Sequence, residues 1–157
     1  MEPIRFIWIG VMFFAGWIWF YLFGRQLIFN FTAAYPTIKK MRSLDKELIA
    51  PGADKYTNVS VIVCIVVIAA VAALIVRFCK LDLLISFFAG AFVALLLYIP
   101  SSTITTRNTF DLFCSAYSRF VPDDGLRTAM YGRDVKGIKK RLKEMDFADT
   151  FVPEFKK

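Results

Sequence analysis

Three long blocks of apolar residues, each free of charged side chains, divide this sequence. They run from Phe6 to Gly24, from Tyr56 to Val76 and from Leu83 to Ile99. About 20 apolar residues are needed to cross roughly 30 Å of hydrocarbon at a rise of 1.5 Å per residue. A backbone surrounded by lipid must satisfy its own hydrogen bonds, so each block is expected to be a helix. The chain is therefore predicted to be an all-α integral membrane protein with three transmembrane helices.

Composition supports this fold class. Hydrophobic residues make up 57% of the 157 residues, and a small water-soluble domain has too little interior to hide them. The first block has a long aromatic core and no small-residue cleavage site, and Arg25 with further apolar sequence follows it. We therefore expect it to be a retained membrane span and not a cleaved signal peptide.

The positions of the basic residues predict an orientation. Three spans place the loop at residues 25–55 and the tail at residues 107–157 on the same side. That side holds all of the 20 Lys and Arg residues except Arg5, Arg77 and Lys80. Cytoplasmic segments of membrane proteins carry an excess of positive charge. We expect a bacterial plasma (inner) membrane protein with its N-terminus outside and its C-terminus in the cytoplasm.

These considerations predict two parts. Residues 1–106 form a transmembrane domain, and residues 107–157 form a basic helical cytoplasmic tail. The spans are expected at about residues 6–24, 56–76 and 83–103.

Small residues predict a helix-packing surface between the second and third spans. A short turn joins these spans, so we expect a tight antiparallel hairpin. Counting outward from the turn places Ala73 level with Ser86 and Ala69 level with Gly90. Membrane helices pack where small residues let their backbones approach. The predicted packing residues are Ala69, Ala73, Ser86, Gly90 and Ala94.

The loop after the first span is predicted to form an amphipathic helix over about residues 27–48, kinked at Pro36. Its apolar residues recur every three or four positions, at Leu27, Phe31, Ala34, Ile38, Met41, Leu44 and Leu48. Lys39, Lys40 and Arg42 occupy its other faces. This pattern indicates a helix on the inner membrane surface whose basic residues contact anionic lipid head groups.

The tail shows two more amphipathic patterns. The first comprises Phe110, Phe113, Cys114, Tyr117, Phe120 and Val121. After a turn predicted at residues 122–125, a basic helix is expected over residues 134–145, with Asp134 as its N-cap. Its apolar side is predicted to pack on the Phe110 helix, and its charged residues Lys139, Lys140 and Arg141 to contact acidic lipid. The last segment, from Phe147, is expected either to dock or to fray.

Several chemistries are disfavoured by what the sequence lacks. There is no histidine, which is the commonest general base and metal ligand. Cys64, Cys79 and Cys114 fall at three different depths of the predicted topology, so neither a disulfide nor a zinc site is expected. No span has a charged residue near its middle, which argues against a proton relay. We predict no catalytic residue, metal or cofactor.

One polar stretch follows the third span: Pro100, Ser101, Ser102, Thr103, Thr105 and Thr106. Its hydroxyl groups would either line a water-filled vestibule in an oligomer or satisfy backbone groups freed by the proline. The second interpretation is favoured.

The sequence therefore favours a non-enzymatic accessory, scaffold or immunity-type subunit that packs against partner helices and anionic lipid. Its expected partners are membrane lipids and either other membrane subunits or further copies of itself. Nucleic acid is disfavoured, because no recognisable binding module accompanies the basic residues. The alternative is a homo-oligomeric channel or transport subunit, with spans two and three around a pore.

Overall fold

The computed structural model describes residues 3–98 and 103–155. All regular secondary structure in these residues is helical. Three of the helices are long and apolar enough to span a membrane, which confirms the predicted number of candidate spans. Pro100, Ser101 and Ser102 lie outside the described residues, as does part of the predicted third span.

The first helix, α1, runs without interruption through five segments. These are α-helical Pro3–Trp19, π-helical Phe20–Gly24, α-helical Arg25–Phe29, π-helical Asn30–Ala34 and α-helical Tyr35–Leu44.

The other helices follow in chain order. Helix α2 is Gly52–Phe78 and helix α3 is Leu81–Tyr98. Helix α4 is Arg107–Tyr117, followed by a 3₁₀ turn at Ser118–Phe120. Helix α5 is Asp124–Tyr131 and helix α6 is Val135–Glu144.

Helix α1 differs from the prediction of a span at residues 6–24 and a separate loop helix at residues 27–48. The two are one apolar helix, with 41 residues from Ile4 to Leu44. No turn residue separates the two predicted parts, and the helix continues through Arg25.

Two π-helical turns change the phase of α1. In the first, the Arg25 amide donates to the Phe20 carbonyl, and in the second the Tyr35 amide donates to the Asn30 carbonyl. The second turn lies directly before Pro36, which has no amide proton and would clash with a carbonyl four residues earlier in a regular α-helix. We attribute the wide turn to this proline, the residue at which the sequence predicted a kink.

The helices are grouped into two compact units. The first contains residues up to Ile28 and residues from Ser60 through α3. The second contains Phe29–Val59 together with the tail. The predicted boundary between residues 106 and 107 assigned the loop to the transmembrane part, whereas the structure groups the loop with the tail.

The second unit has its own hydrophobic core, built from both of its chain segments. The loop contributes Ile38, Met41 and Ile49, each at most 2% exposed, and the tail contributes Phe110 and Leu142, at 0% and 1%. The Ala50 amide donates to the Phe120 carbonyl at 2.8 Å, which ties the loop directly to the tail. Protein therefore covers the apolar face that was predicted to lie on the membrane surface.

The second π turn also corrects the predicted apolar face of the loop helix. Ala34, Ile38, Met41 and Leu48 are buried as expected, but Phe31 is 57% exposed. The widened turn at Asn30–Ala34 adds a residue, so that positions before it are rotated relative to those after it.

The tail matches its predicted patterns with one addition. The amphipathic face of α4 is buried, and α6 buries Ile138 and Leu142 in the same core. The final segment docks, with Phe151 3% and Val152 5% exposed. The predicted turn at residues 122–125 instead begins helix α5, because the Asp123 carboxylate caps it by accepting the Leu126 amide at 2.7 Å. Asp134 stands at the N-cap position of α6 but makes no capping bond with its side chain.

Burial of Cys114 gives a direct test of the second unit. The Cys114 side chain is 0% exposed, and burial raises the pKa of its thiol to about 12. A variant that retains only this cysteine (Cys64→Ala, Cys79→Ser) should resist maleimide in neutral detergent solution and be labelled after denaturation. Adding Lys136→Cys, at an exposed position of α6, should give one fast-reacting site in the same background. Mass spectrometry counts the labels, and equally fast reaction of Cys114 would contradict the core described here.

Candidate functional site

Helices α1 and α3 touch backbone to backbone. A Cβ atom placed on Gly90 would collide with the carbonyl of Phe13. A Cβ atom on Gly16 would collide with the carbonyl of Phe87. Only glycine permits such an approach at these two points, and helices that lack a hydrophobic drive between them pack through such small residues. We call this contact the α1–α3 seam.

The seam is parallel. The Ser86 hydroxyl donates to the Ile9 carbonyl at 2.6 Å, and Arg5 Nε donates to Asp82 Oδ2 at 2.7 Å. Both pairs are 77 residues apart in the chain, so the two helices advance together in the same direction.

The predicted packing residues fall into a buried group on α3 and an exposed group on α2. Ser86, Gly90 and Ala94 are buried on α3, and the first two face α1. Ala69 and Ala73 are exposed on α2, so the predicted hairpin contact is not confirmed. The prediction paired residues that lie equally far from the turn. Equal distance places two residues at the same height along their helices, but it does not determine the direction in which each side chain points.

Each end of the seam carries an arginine. At one end, Arg5 and Lys80 line a cavity of about 710 Å³ with Trp8 and Asp82. At the other end, Arg25 donates to the Tyr21 hydroxyl at 2.8 Å. The Arg25 guanidinium also lies 5.1 Å and 5.4 Å from the ring centroids of Tyr21 and Tyr98, within the range of cation–π attraction.

The basic residues predicted to contact lipid fall into two groups. Lys39 and Lys139 are exposed, while Lys40 pairs with Asp149 at 3.6 Å and Lys140 with Glu144 at 3.8 Å. These two pairs lie at the surface, where an ion pair contributes little and leaves the ammonium accessible. Arg42 pairs with Asp54 and Arg141 with Asp123, so both arginines have partners within the protein.

Arg141 holds the second unit together through a two-point contact. Its Nε and Nη2 donate to the two carboxylate oxygens of Asp123 at 3.0 and 2.8 Å. This hydrogen bonding, with the Leu126 amide on the same carboxylate, lowers the pKa of Asp123 to about 2. The pair joins the start of α5 to α6, which is a structural role that the sequence pattern did not reveal.

The described hydroxyls after α3 make local contacts. Thr103 Oγ1 and Thr105 Oγ1 share a hydrogen bond of 2.8 Å, and Thr106 Oγ1 donates to Thr109 Oγ1 at 2.8 Å. The Thr106 amide donates to the Thr103 carbonyl at 3.0 Å, so these residues form the turn that leads into α4.

Sequence reasoning missed a buried polar contact in the second unit. The hydroxyl oxygens of Thr57 and Tyr117 lie 2.7 Å apart, and both residues are at most 1% exposed. Thr57 also donates to the Ala53 carbonyl at 2.8 Å. The amphipathic pattern indicated that Tyr117 is buried, but no signal in the sequence pointed to a partner 60 residues earlier.

No protein-family model, curated protein or solved structure matches the chain. The arguments for its function therefore come from its own residues.

The seam predicts that alanine is destabilising at Gly16 and Gly90 but is tolerated at Gly10. Gly16→Ala and Gly90→Ala should each destabilise the protein by ~1–3 kcal/mol, because the added methyl group meets backbone that cannot move aside. Gly10→Ala is the matched control, since nothing lies within 4 Å of a Cβ atom there, and it should be neutral or slightly stabilising. Thermal unfolding in detergent, followed by circular dichroism, measures all three. Equal melting temperatures for the three variants would refute the seam.

The Asp123–Arg141 pair predicts a pH dependence. Asp123 has a folded pKa of about 2, below its ordinary 3.8, so its contribution to stability is complete above about pH 4 and is lost as the pH falls towards 2. At pH 6, Asp123→Asn should lower the melting temperature by about 2–5 °C, and the difference from wild type should vanish near pH 2. Asp124→Asn, at an 84% exposed side chain, should have no measurable effect. A gap between wild type and Asp123→Asn that does not change with pH would contradict this account.

Proposed function

We propose that the protein is a non-enzymatic subunit of a bacterial plasma membrane that binds helices of another membrane protein and anionic lipid. In this proposal α2, α3 and part of α1 are the three spans. The N-terminus lies outside, and the second unit lies in the cytoplasm.

The spacing of Arg5 and Arg25 supports the proposal that α1 crosses the membrane between them. Arg5 and Arg25 are 20 positions apart along α1, which corresponds to about 30 Å of helix. This equals the thickness of a hydrocarbon core, and the residues between them carry no charge. A bilayer placed between the two arginines leaves the part of α1 that belongs to the second unit, from Phe29 onward, outside the hydrocarbon core.

The parallel direction of α1 and α3 agrees with a chain that crosses the membrane three times. If α1 and α3 cross the membrane in the same direction, α2 must return the chain between them. The loop and tail then share one side, and their excess of Lys and Arg makes that side the cytoplasm.

The main support for a partner protein is the exposed surface of α2. No residue from Ile65 to Phe78 is buried, although this stretch includes Ala69, Ala70, Ala72 and Ala73. Small side chains give a helix little contact with lipid but let another backbone approach closely. The seam already occupies Gly16 of α1 and Gly90 of α3, whereas Ala69 and Ala73 of α2 remain exposed and available to a partner.

We propose that the occupant is a transmembrane helix of a different protein. A partner chain explains why the smallest residues of α2 cluster on a helix that packs so little against its own neighbours. Anionic lipid would contact the exposed amines of Lys39 and Lys139, each adding ~1 kcal/mol near a charged leaflet.

Native mass spectrometry of protein extracted gently from its own membrane tests this proposal. We expect one further membrane protein at a fixed ratio. The double variant Ala69→Leu, Ala73→Leu should lose it, because larger side chains hold the helices apart. Val71→Phe adds bulk on the opposite side of α2 and should retain the partner.

Two results would contradict the proposal. One is a closed ring of identical chains with no second protein, which would favour the channel. The other is loss of the partner in Val71→Phe but not in the double alanine variant.

A further inference from the structure

A cleft in the second unit combines cationic and hydroxyl side chains. It lies where α4 and the 3₁₀ turn meet α5, and its volume is about 370 Å³. The size falls in the range of small-molecule sites. The residues that line it are Ser115, Ser118, Arg119, Arg127, Thr128 and Tyr131.

Arg119 is held in place by aromatic rings and not by a carboxylate. Its guanidinium carbon lies 4.4 Å from the ring centroid of Tyr56 and 4.8 Å from that of Phe120. Among residues 3–98 and 103–155, no acidic group lies within ion-pair distance of it. Stacking fixes the plane of the guanidinium while its donors remain available to an anion.

Ser118 supplies a hydroxyl group at the wall of the cleft. The residue is 3% exposed, yet it lines the cleft. Its hydroxyl has no hydrogen-bond partner within the part of the chain that the structure describes. Because the residue lines the cleft, its hydroxyl can donate to a ligand oxygen there.

A second cation completes the cleft. Arg127 pairs with Asp124, whose side chain is 84% exposed. An ion pair this exposed is weak, so a ligand anion can share or replace it. Thr128, one residue further along α5, adds a hydroxyl to the lining of the cleft.

We propose that this cleft binds a phosphate group, with Arg119 and Arg127 as the charged clamp and Ser118 as a hydroxyl donor. Guanidinium groups match the geometry of phosphate oxygens, and hydroxyls complete the donor set. The phosphate belongs either to a lipid head group, a source that depends on the proposed membrane function, or to a soluble phosphorylated molecule.

The test uses the full chain in a neutral, phospholipid-free detergent. Calorimetric titration with inorganic phosphate and glycerol 3-phosphate probes the soluble source. Native mass spectrometry with phosphatidylglycerol, and with diacylglycerol as the phosphate-free lipid, probes the head group. Saturable binding of any phosphate-bearing probe, with diacylglycerol inactive, is expected, and the probe that binds identifies the source.

Variants distinguish this cleft from general attraction to a basic protein. Arg119→Gln should weaken binding tenfold or more, and Ser118→Ala should weaken it severalfold. Lys136→Gln removes one exposed positive charge elsewhere and should change affinity less than twofold. If Arg119→Gln fails to fold, as shown by rapid labelling of Cys114, Ser118→Ala decides the question. Absence of saturable binding, or equal weakening by Lys136→Gln, would overturn the proposal.

Discussion

The close approach of the α1 and α3 backbones at Gly16 and Gly90 fixes the packing and the register of these two helices in the first unit. Side chains larger than hydrogen at these points would separate the helices. The register that joins Ser86 to Ile9 also joins Asp82 to Arg5. A slip of one helical turn would therefore break the ion pair and the hydroxyl bond together, and it would move both glycines away from the carbonyls that they accommodate.

The second unit depends on a different constraint, namely that two amphipathic segments cover each other. The loop presents Ile38 and Met41, and the tail presents Phe110 and Leu142, to one shared core. Neither segment could bury its apolar face alone. The charged faces then point outward or form ion pairs within the unit. Arg141 and Lys39 were both predicted to contact lipid head groups. In the structure Arg141 joins α5 to α6 through its ion pair, whereas Lys39 is exposed.

Much of this architecture could be predicted from the sequence, because long apolar blocks and helical periodicity are local signals. The three long apolar helices and the buried faces of α4 and α6 are of this kind. The identity of neighbours is not local. Ser86, Gly90 and Ala94 are buried on α3, but equal depth could not say which helix Ser86 and Gly90 meet. The phase of α1 before residue 35 also escaped prediction, since the π turn before Pro36 arises from the clash of one proline ring with the preceding turn. The cleft at Ser118 and Arg119 escaped because its residues are ordinary in sequence and meet only after α5 packs on the 3₁₀ turn.

Cross-linking of paired cysteines tests directly whether α3 packs in parallel on α1 and not on α2. In a background with Cys64, Cys79 and Cys114 replaced, the pair Arg5→Cys and Asp82→Cys places two thiols where side chains of the two helices already meet. We predict rapid cross-linking of this pair by a short bifunctional thiol reagent in native membranes, and no cross-linking of Ala73→Cys with Ser86→Cys. The reverse result would contradict the seam and support the antiparallel hairpin between α2 and α3.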